Sequence, residues 1–229
     1  MQFFKLSLSQ ICVLFRPAFI TKPQFVMKRI LYVFALLVTV LFNACDKSDI
    51  EYENNLERSR DAWLDFKKAS NNSYRYVVTS GSWAGSSWRT MITVENGEVT
   101  RRDFQYNEFN GVPMPEGGWS KEKILEMLDL AGLTAAEYRE QTGQELEEIL
   151  EWTEENHEVG LRQSTSAALP LTLDEVYDKA QNDWLRKRSD AKTYLETDNG
   201  GMISSCGYVI DHCQDDCFVG INISMIEAL

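Results

Sequence analysis

Three cysteines fall within twelve residues near the C-terminus, and they carry most of the chemistry this chain could perform. Cys206, Cys213 and Cys217 stand beside Asp211, His212, Asp215 and Asp216. Oxidised in pairs, such thiols form a disulfide. As thiolates with His212 they would form a Cys3His set, a recognised zinc combination. The oxygens of Asp198, Asn199, Asp211, Asp215 and Asp216 could instead face calcium. The spacing Cys206-x6-Cys213-x3-Cys217 lacks the paired short Cys-x-x-Cys units of ordinary zinc modules, and no EF-hand loop is present. A disulfide is therefore the first expectation. Three pairings stay open: Cys206–Cys213, Cys206–Cys217 and Cys213–Cys217, each leaving one thiol over. Closing so short a loop would stabilise the fold by about 2–3 kcal/mol in the chain-entropy picture.

Other catalytic chemistry has less support. A nucleophilic triad needs a base oriented beside its nucleophile. The only histidines are His157, set among Glu154, Glu155 and Glu158, and His212. No Gly-x-Ser-x-Gly, Walker or dinucleotide fingerprint occurs, so no cofactor is expected. Carboxylates are abundant, but abundance on a charged surface does not identify a glycosidase pair. Aromatic residues in loops are better evidence of recognition, because Trp and Tyr are enriched in interfaces. Trp83, Tyr106 and Trp119 are the binding candidates. The alternative places Trp88 in the core and Trp83 over a sheet edge.

Charge separates the ends of the chain. Residues 1–44 hold five basic residues and no acidic one, which leaves 18 basic and 35 acidic residues, a formal charge of −17, for the rest. The first stretch reads as a signal peptide, with Met27 as an alternative start. Met27-Lys28-Arg29 opens it, and an apolar run from Ile30 to Phe42 follows, broken only by Thr39. That run is shorter than the roughly 20 residues needed to span a bilayer but fits a signal-peptide core. The closing Leu41-Phe42-Asn43-Ala44-Cys45 resembles the lipobox of bacterial lipoproteins, apart from Phe42 where Leu is usual. That resemblance implies lipidation of Cys45 and a membrane anchor at the cell envelope, on the periplasmic face or the cell surface. An uncleaved membrane anchor is the alternative. Residues 45–55 read as the lipidated cysteine and an acidic tether, which also resembles the surface-export tethers of Bacteroidota lipoproteins. The charge of −17 argues against nucleic acid as a partner. An envelope protein or glycan remains.

The elements that must position these residues follow from periodicity. Leu56, Trp63, Leu64 and Phe66 lie on one helical face. Tyr74, Tyr76 and Val78 alternate with Ser73, Arg75, Val77 and Thr79, as in a half-buried strand. Strands over Trp88–Val94 and Val99–Phe104 flank Asn96-Gly97, the strongest short hairpin signal. Asn107–Gly118 reads as a loop and Ser120 as the N-cap of a helix over Lys121–Leu130. Thr134 with Glu137 fits a capping box, and Glu137–Asn156 reads as acidic helix. A second capping box, Thr172 with Glu175, opens a helix through Arg188. Strands over Lys192–Thr197, Met202–Ile210 and Phe218–Ile226 close the chain. The expectation is a single α+β domain over 56–229: an antiparallel sheet with helices packed on one face, plus a helical insertion at 105–170.

Two stretches resemble a known family. Ser73-Tyr74-Arg75-Tyr76 through Thr93-Val94-Glu95-Asn96-Gly97-Glu98-Val99, the helix start Thr172-Leu173-Asp174-Glu175-Val176-Tyr177, and Asp198–Gly207 with Asp215-Asp216 are similar to bacterial domain of unknown function 6174, found in secreted and lipoprotein chains. The likeness covers about 55–104 and 171–226 and leaves out 105–170. It implies a fold and a compartment; the family has no assigned activity to carry over. The chain thus reads as an exported lipoprotein serving as a binding or structural module, with a metal-binding protein or hydrolase built on Cys206, His212, Cys213 and Cys217 as the alternative.

Overall fold

The computed structural model describes residues 49–163 and 165–229. The expected signal peptide, the alternative start at Met27 and the lipidation site Cys45 lie outside the described residues. Residues 48–229 form one compact unit.

The chain begins with helix α1 (Glu53–Ala69), which buries Leu56, Ser59 and Trp63 and ends on Lys67 and Lys68, cations suited to a helix C-terminus. Strands β1 (Tyr74–Ser82), β2 (Ser86–Glu95) and β3 (Glu98–Phe109) form a meander. Asn96 and Gly97 take positive φ, 53° and 86°, at the β2–β3 turn, as the dipeptide predicts. A short β4 (Val112–Pro113) follows, then helices α2 (Lys121–Leu130), α3 (Ala135–Thr142) and α4 (Leu146–Leu150), and strand β5 (Glu151–Glu155). Helix α5 (Leu173–Lys179) runs into a π turn over Ala180–Trp184, and β6 (Ala191–Glu196), β7 (Ser205–Ile210) and β8 (Phe218–Ala228) finish the chain.

The eight strands make one antiparallel sheet in the order β4-β3-β2-β1-β8-β7-β6, with β5 also paired to β3. The class is α+β, as expected. Inward side chains line up across the strands by register. Tyr76, Ile92, Arg102 and Glu154 form one inward row, and Val78, Thr90, Phe104 and Trp152 the next. Against β1, β2 and β8 this face packs Trp63, Val176, Tyr177 and Trp184 in one core. Against β3 and β5 it packs Ile124, Met127, Leu146 and Leu150 in a second. β7 and β8 pair Gly207 with Gly220, and a Cβ on Gly207 would stand 2.4 Å from Val219 O. Only glycine permits that approach.

Several boundaries differ from the expectation. Residues 49–52 are part of the fold rather than tether: Glu51 N donates to Leu185 O at 2.8 Å and Lys187 N to Asp49 O at 2.8 Å. Main-chain hydrogen bonding to a folded neighbour holds this stretch, which its acidic composition does not reveal. The segment 105–170 is not a helical excursion alone, because β3 runs through it to Phe109 and β4 and β5 lie inside it. The expected acidic helix breaks at Gly143, whose φ of 78° caps α3. Beyond α4, Trp152 and Glu154 turn inward while Glu151, Thr153 and Glu155 turn outward, the alternation of a strand. The helix expected through Arg188 leaves α-geometry at Ala180 and ends at Trp184. Ser120 caps α2, and both capping boxes form, at Thr134–Glu137 and Thr172–Glu175.

Glu154 is charged and buried, and its partner explains why. The Arg102 and Glu154 side chains are 2% and 3% exposed, with Nη2 2.8 Å from Oε2. Glu154 also accepts from Gly160 N at 2.7 Å and Arg162 N at 2.6 Å. Arg102 donates onward to Arg162 O and Ala168 O. This satisfied pair ties the segment after β5 to the sheet.

Candidate binding surfaces

The cysteine cluster separates into two environments. Cys213 and Cys217 form a disulfide, with Cα atoms 6.0 Å apart, across the β7–β8 loop. Cys206 points inward from β7 into the core and stays a free thiol. Burial pushes that thiol up to about 12. Of the three pairings, the Cys213–Cys217 one forms, and the Cys3His arrangement is not assembled: two thiols are consumed and the third is buried in the core, whereas His212 is exposed. His212, Asp211, Asp215 and Asp216 are exposed on the loop. Asn199 spends its amide on Ile203 O and Ile223 O, both at 2.9 Å, as a turn residue. Among the described residues, no three His, Cys, Asp or Glu side chains gather as a metal site would. His157 sits exposed in the short 3-10 turn Asn156–Glu158.

The three aromatic candidates also part company. Trp83 is 74% exposed at the β1–β2 tip. That tip is pinned to its neighbours: Trp83 N donates to Asp216 Oδ1 at 3.1 Å and Gly111 N to Gly85 O at 2.6 Å. Tyr106 is 9% exposed and belongs to the second core, its hydroxyl 3.0 Å from Ser166 Oγ. Trp119 packs against the same core and donates its ring N–H to Tyr106 O at 2.8 Å. Both are packing residues whose polar tips are satisfied. Their Gly- and Pro-rich surroundings read as loop, but β3 extends through Tyr106 and folds Trp119 back onto it.

Among the described residues, no helix covers the other face of the sheet, and register arranges it in three rows. Glu227, Arg75, Thr93, Arg101 and Glu155 form one. Met225, Val77, Met91, Asp103 and Thr153 form the middle row. Thr79, Arg89, Gln105 and Glu151 form the third. A groove of about 430 Å³ lies over these side chains. Its apolar part, Met225–Val77–Met91, crosses three strands, or roughly 10 Å at the usual strand spacing. Charges border it on both sides. Arg75 pairs with Glu227, and Arg101 with Asp103 and Glu155. Thr153 Oγ1 donates to Asp103 Oδ1 at 2.7 Å. Arg89 bonds only the neutral Gln105, at 2.6 Å, and pairs with no carboxylate among the described residues. Val77 and Met91 are apolar at positions where strand alternation points outward, and Met225 joins them only through the pairing of β8 with β1.

Among the described residues, no helix is long and apolar enough to cross a membrane. Comparison with protein-family models, with curated proteins and with solved structures finds no match.

Proposed function

We propose that this chain is an exported lipoprotein, anchored through Cys45, that works as a binding module at the cell envelope and engages a polypeptide partner on its bare sheet face. The observation that carries the reading is the middle row Met225–Val77–Met91, an outward apolar strip bordered by charges of both signs. Methionines adapt to irregular apolar partners. The alternating charges complement a chain with apolar residues flanked by acidic and basic ones, which describes polypeptide better than a polyanion. The Cys213–Cys217 disulfide fits an oxidising compartment, and the leader ending at Cys45 fits lipid attachment.

Mild-detergent purification of the full chain from its own envelope tests the surface. A partner recovered with the wild type and with Leu125→Asp on the helix side, but lost with Met91→Asp, is the expected result. Equal recovery with Met91→Asp rejects the sheet face. Trp83 marks a second contact surface, since a tryptophan 74% exposed on a pinned loop needs no rearrangement to meet a partner.

A further inference from the structure

On the helix side, a separate cavity of about 330 Å³ opens between α4, β3 and the segment that follows Gly160. This is the lower end of the range for small-molecule pockets, room for one or two residues of a peptide rather than a folded partner. The Arg162 guanidinium rests against the Trp152 ring, 5.2 Å from the centroid. Its one side-chain hydrogen bond is a long one, Nη1 to Glu148 O at 3.4 Å, and among the described residues it joins no ion pair.

The backbone beneath that cation is fixed. Arg162 N donates to Glu154 Oε1 at 2.6 Å, and Arg162 O accepts from Arg102 Nη2 at 2.8 Å. The buried ion pair therefore holds an unpaired guanidinium at the cavity wall. Glu148 lines the same cavity, and among the described residues its carboxylate forms no ion pair with Arg162. Gln144 and Gln163 also line it, and among the described residues their side-chain amides make no hydrogen bond.

We infer that this cavity binds a small zwitterion, an amino acid or dipeptide, with its carboxylate on Arg162 and its ammonium on Glu148. Arginine offers a carboxylate a planar two-pronged fork, and stacking on Trp152 already orients that fork. A neutral ligand would use neither charge, and a simple anion would meet Glu148. The amides of Gln144 and Gln163 can serve the polar groups between the two ends. This inference does not depend on the sheet face, which lies on the opposite side of the sheet.

Calorimetric titration of the full chain in detergent with the dipeptide alanyl-alanine tests it. The expected result is one site, with at least tenfold weaker binding when the probe's amino end is acetylated or its carboxyl end is amidated. Glu148→Gln should abolish the preference for a free amino end, and Arg162→Gln the preference for a free carboxylate. Should Arg162→Gln unfold the chain, the Glu148→Gln comparison on the exposed face of α4 still decides. Equal binding of free and capped probes, no binding at millimolar alanyl-alanine, or binding of glucose that persists in Glu148→Gln would each overturn the inference.

Discussion

Replacing Glu154 by Ala removes the carboxylate that holds Arg102 and two main-chain N–H groups. The Nε of Arg102 donates to it at 2.9 Å, Nη2 stands at 2.8 Å, and Gly160 N and Arg162 N approach at 2.7 and 2.6 Å. With both side chains almost fully buried, the substitution strands a guanidinium without counter-charge. Breaking a buried pair from one side costs about 3–5 kcal/mol. For a domain of this size each kcal/mol lowers Tm by about 2–4 °C, so the loss is about 6–20 °C. The double variant Arg102→Met, Glu154→Leu removes both charges and leaves only main-chain groups near the surface segment to be resolvated. It should cost about 2 kcal/mol less than the sum of the singles. Urea denaturation followed by tryptophan fluorescence measures all three variants, and amide exchange over 156–168 should quicken in each. Glu154→Ala within about 1 kcal/mol of the wild type, or strictly additive singles, would refute the reasoning.

Further outcomes follow from packing and ionisation. Trp119→Ala, at a partly buried position, should cost about 2 kcal/mol, whereas Trp83→Ala should stay within about 0.5 kcal/mol, both read by denaturation. Ala at Gly220 would place a Cβ 2.2 Å from Cys206 O, so Gly220→Ala should cost at least about 3 kcal/mol or abolish the folded fraction seen by circular dichroism. The Cys206 thiol is pushed from about 9 up to about 12, so its contribution to stability is complete below pH 9 and is lost as pH rises from 9 to 12. Buried Tyr74, Tyr76 and Tyr177, raised chiefly by desolvation, act in the same direction, and stability measured across that window should fall steadily. Mass spectrometry after iodoacetamide at pH 8 should show Cys206 unlabelled in the native chain and labelled in denaturant. Replacing both Cys213 and Cys217 by Ser should cost about 2 kcal/mol, the entropy of so short a loop.

Much of the fold was legible because local and global signals agreed. The Asn96-Gly97 turn, the alternation of Tyr74, Tyr76 and Val78, and two capping boxes each name a structure at close range. What escaped depended on partners distant in sequence. β5 carries Glu154 at an inward position, and a carboxylate there looks like surface until Arg102, on another strand, is known to oppose it. Tyr106 and Trp119 sit among loop-forming residues, yet the extension of β3 turns them into core. The disulfide pairing depended on which way Cys206 points from β7, a matter of register. The sheet-face rows are the same kind of property: Val77 and Met91 are individually unremarkable outward residues and become a strip only once β8 brings Met225 alongside. That Arg162 joins no ion pair among the described residues is visible only once the folded chain places its neighbours.

The most direct test of the central proposal is photo-crosslinking in living cells, with a photoreactive residue at position 91 on the sheet face or at position 125 on α2, in otherwise unaltered full-length chains. The account predicts a discrete polypeptide adduct from position 91, absent from position 125 and lost with Arg89→Glu, recovered in the membrane fraction and released from it by Cys45→Ala. A glycan adduct, the same adduct from both positions, or no adduct from position 91 would contradict it.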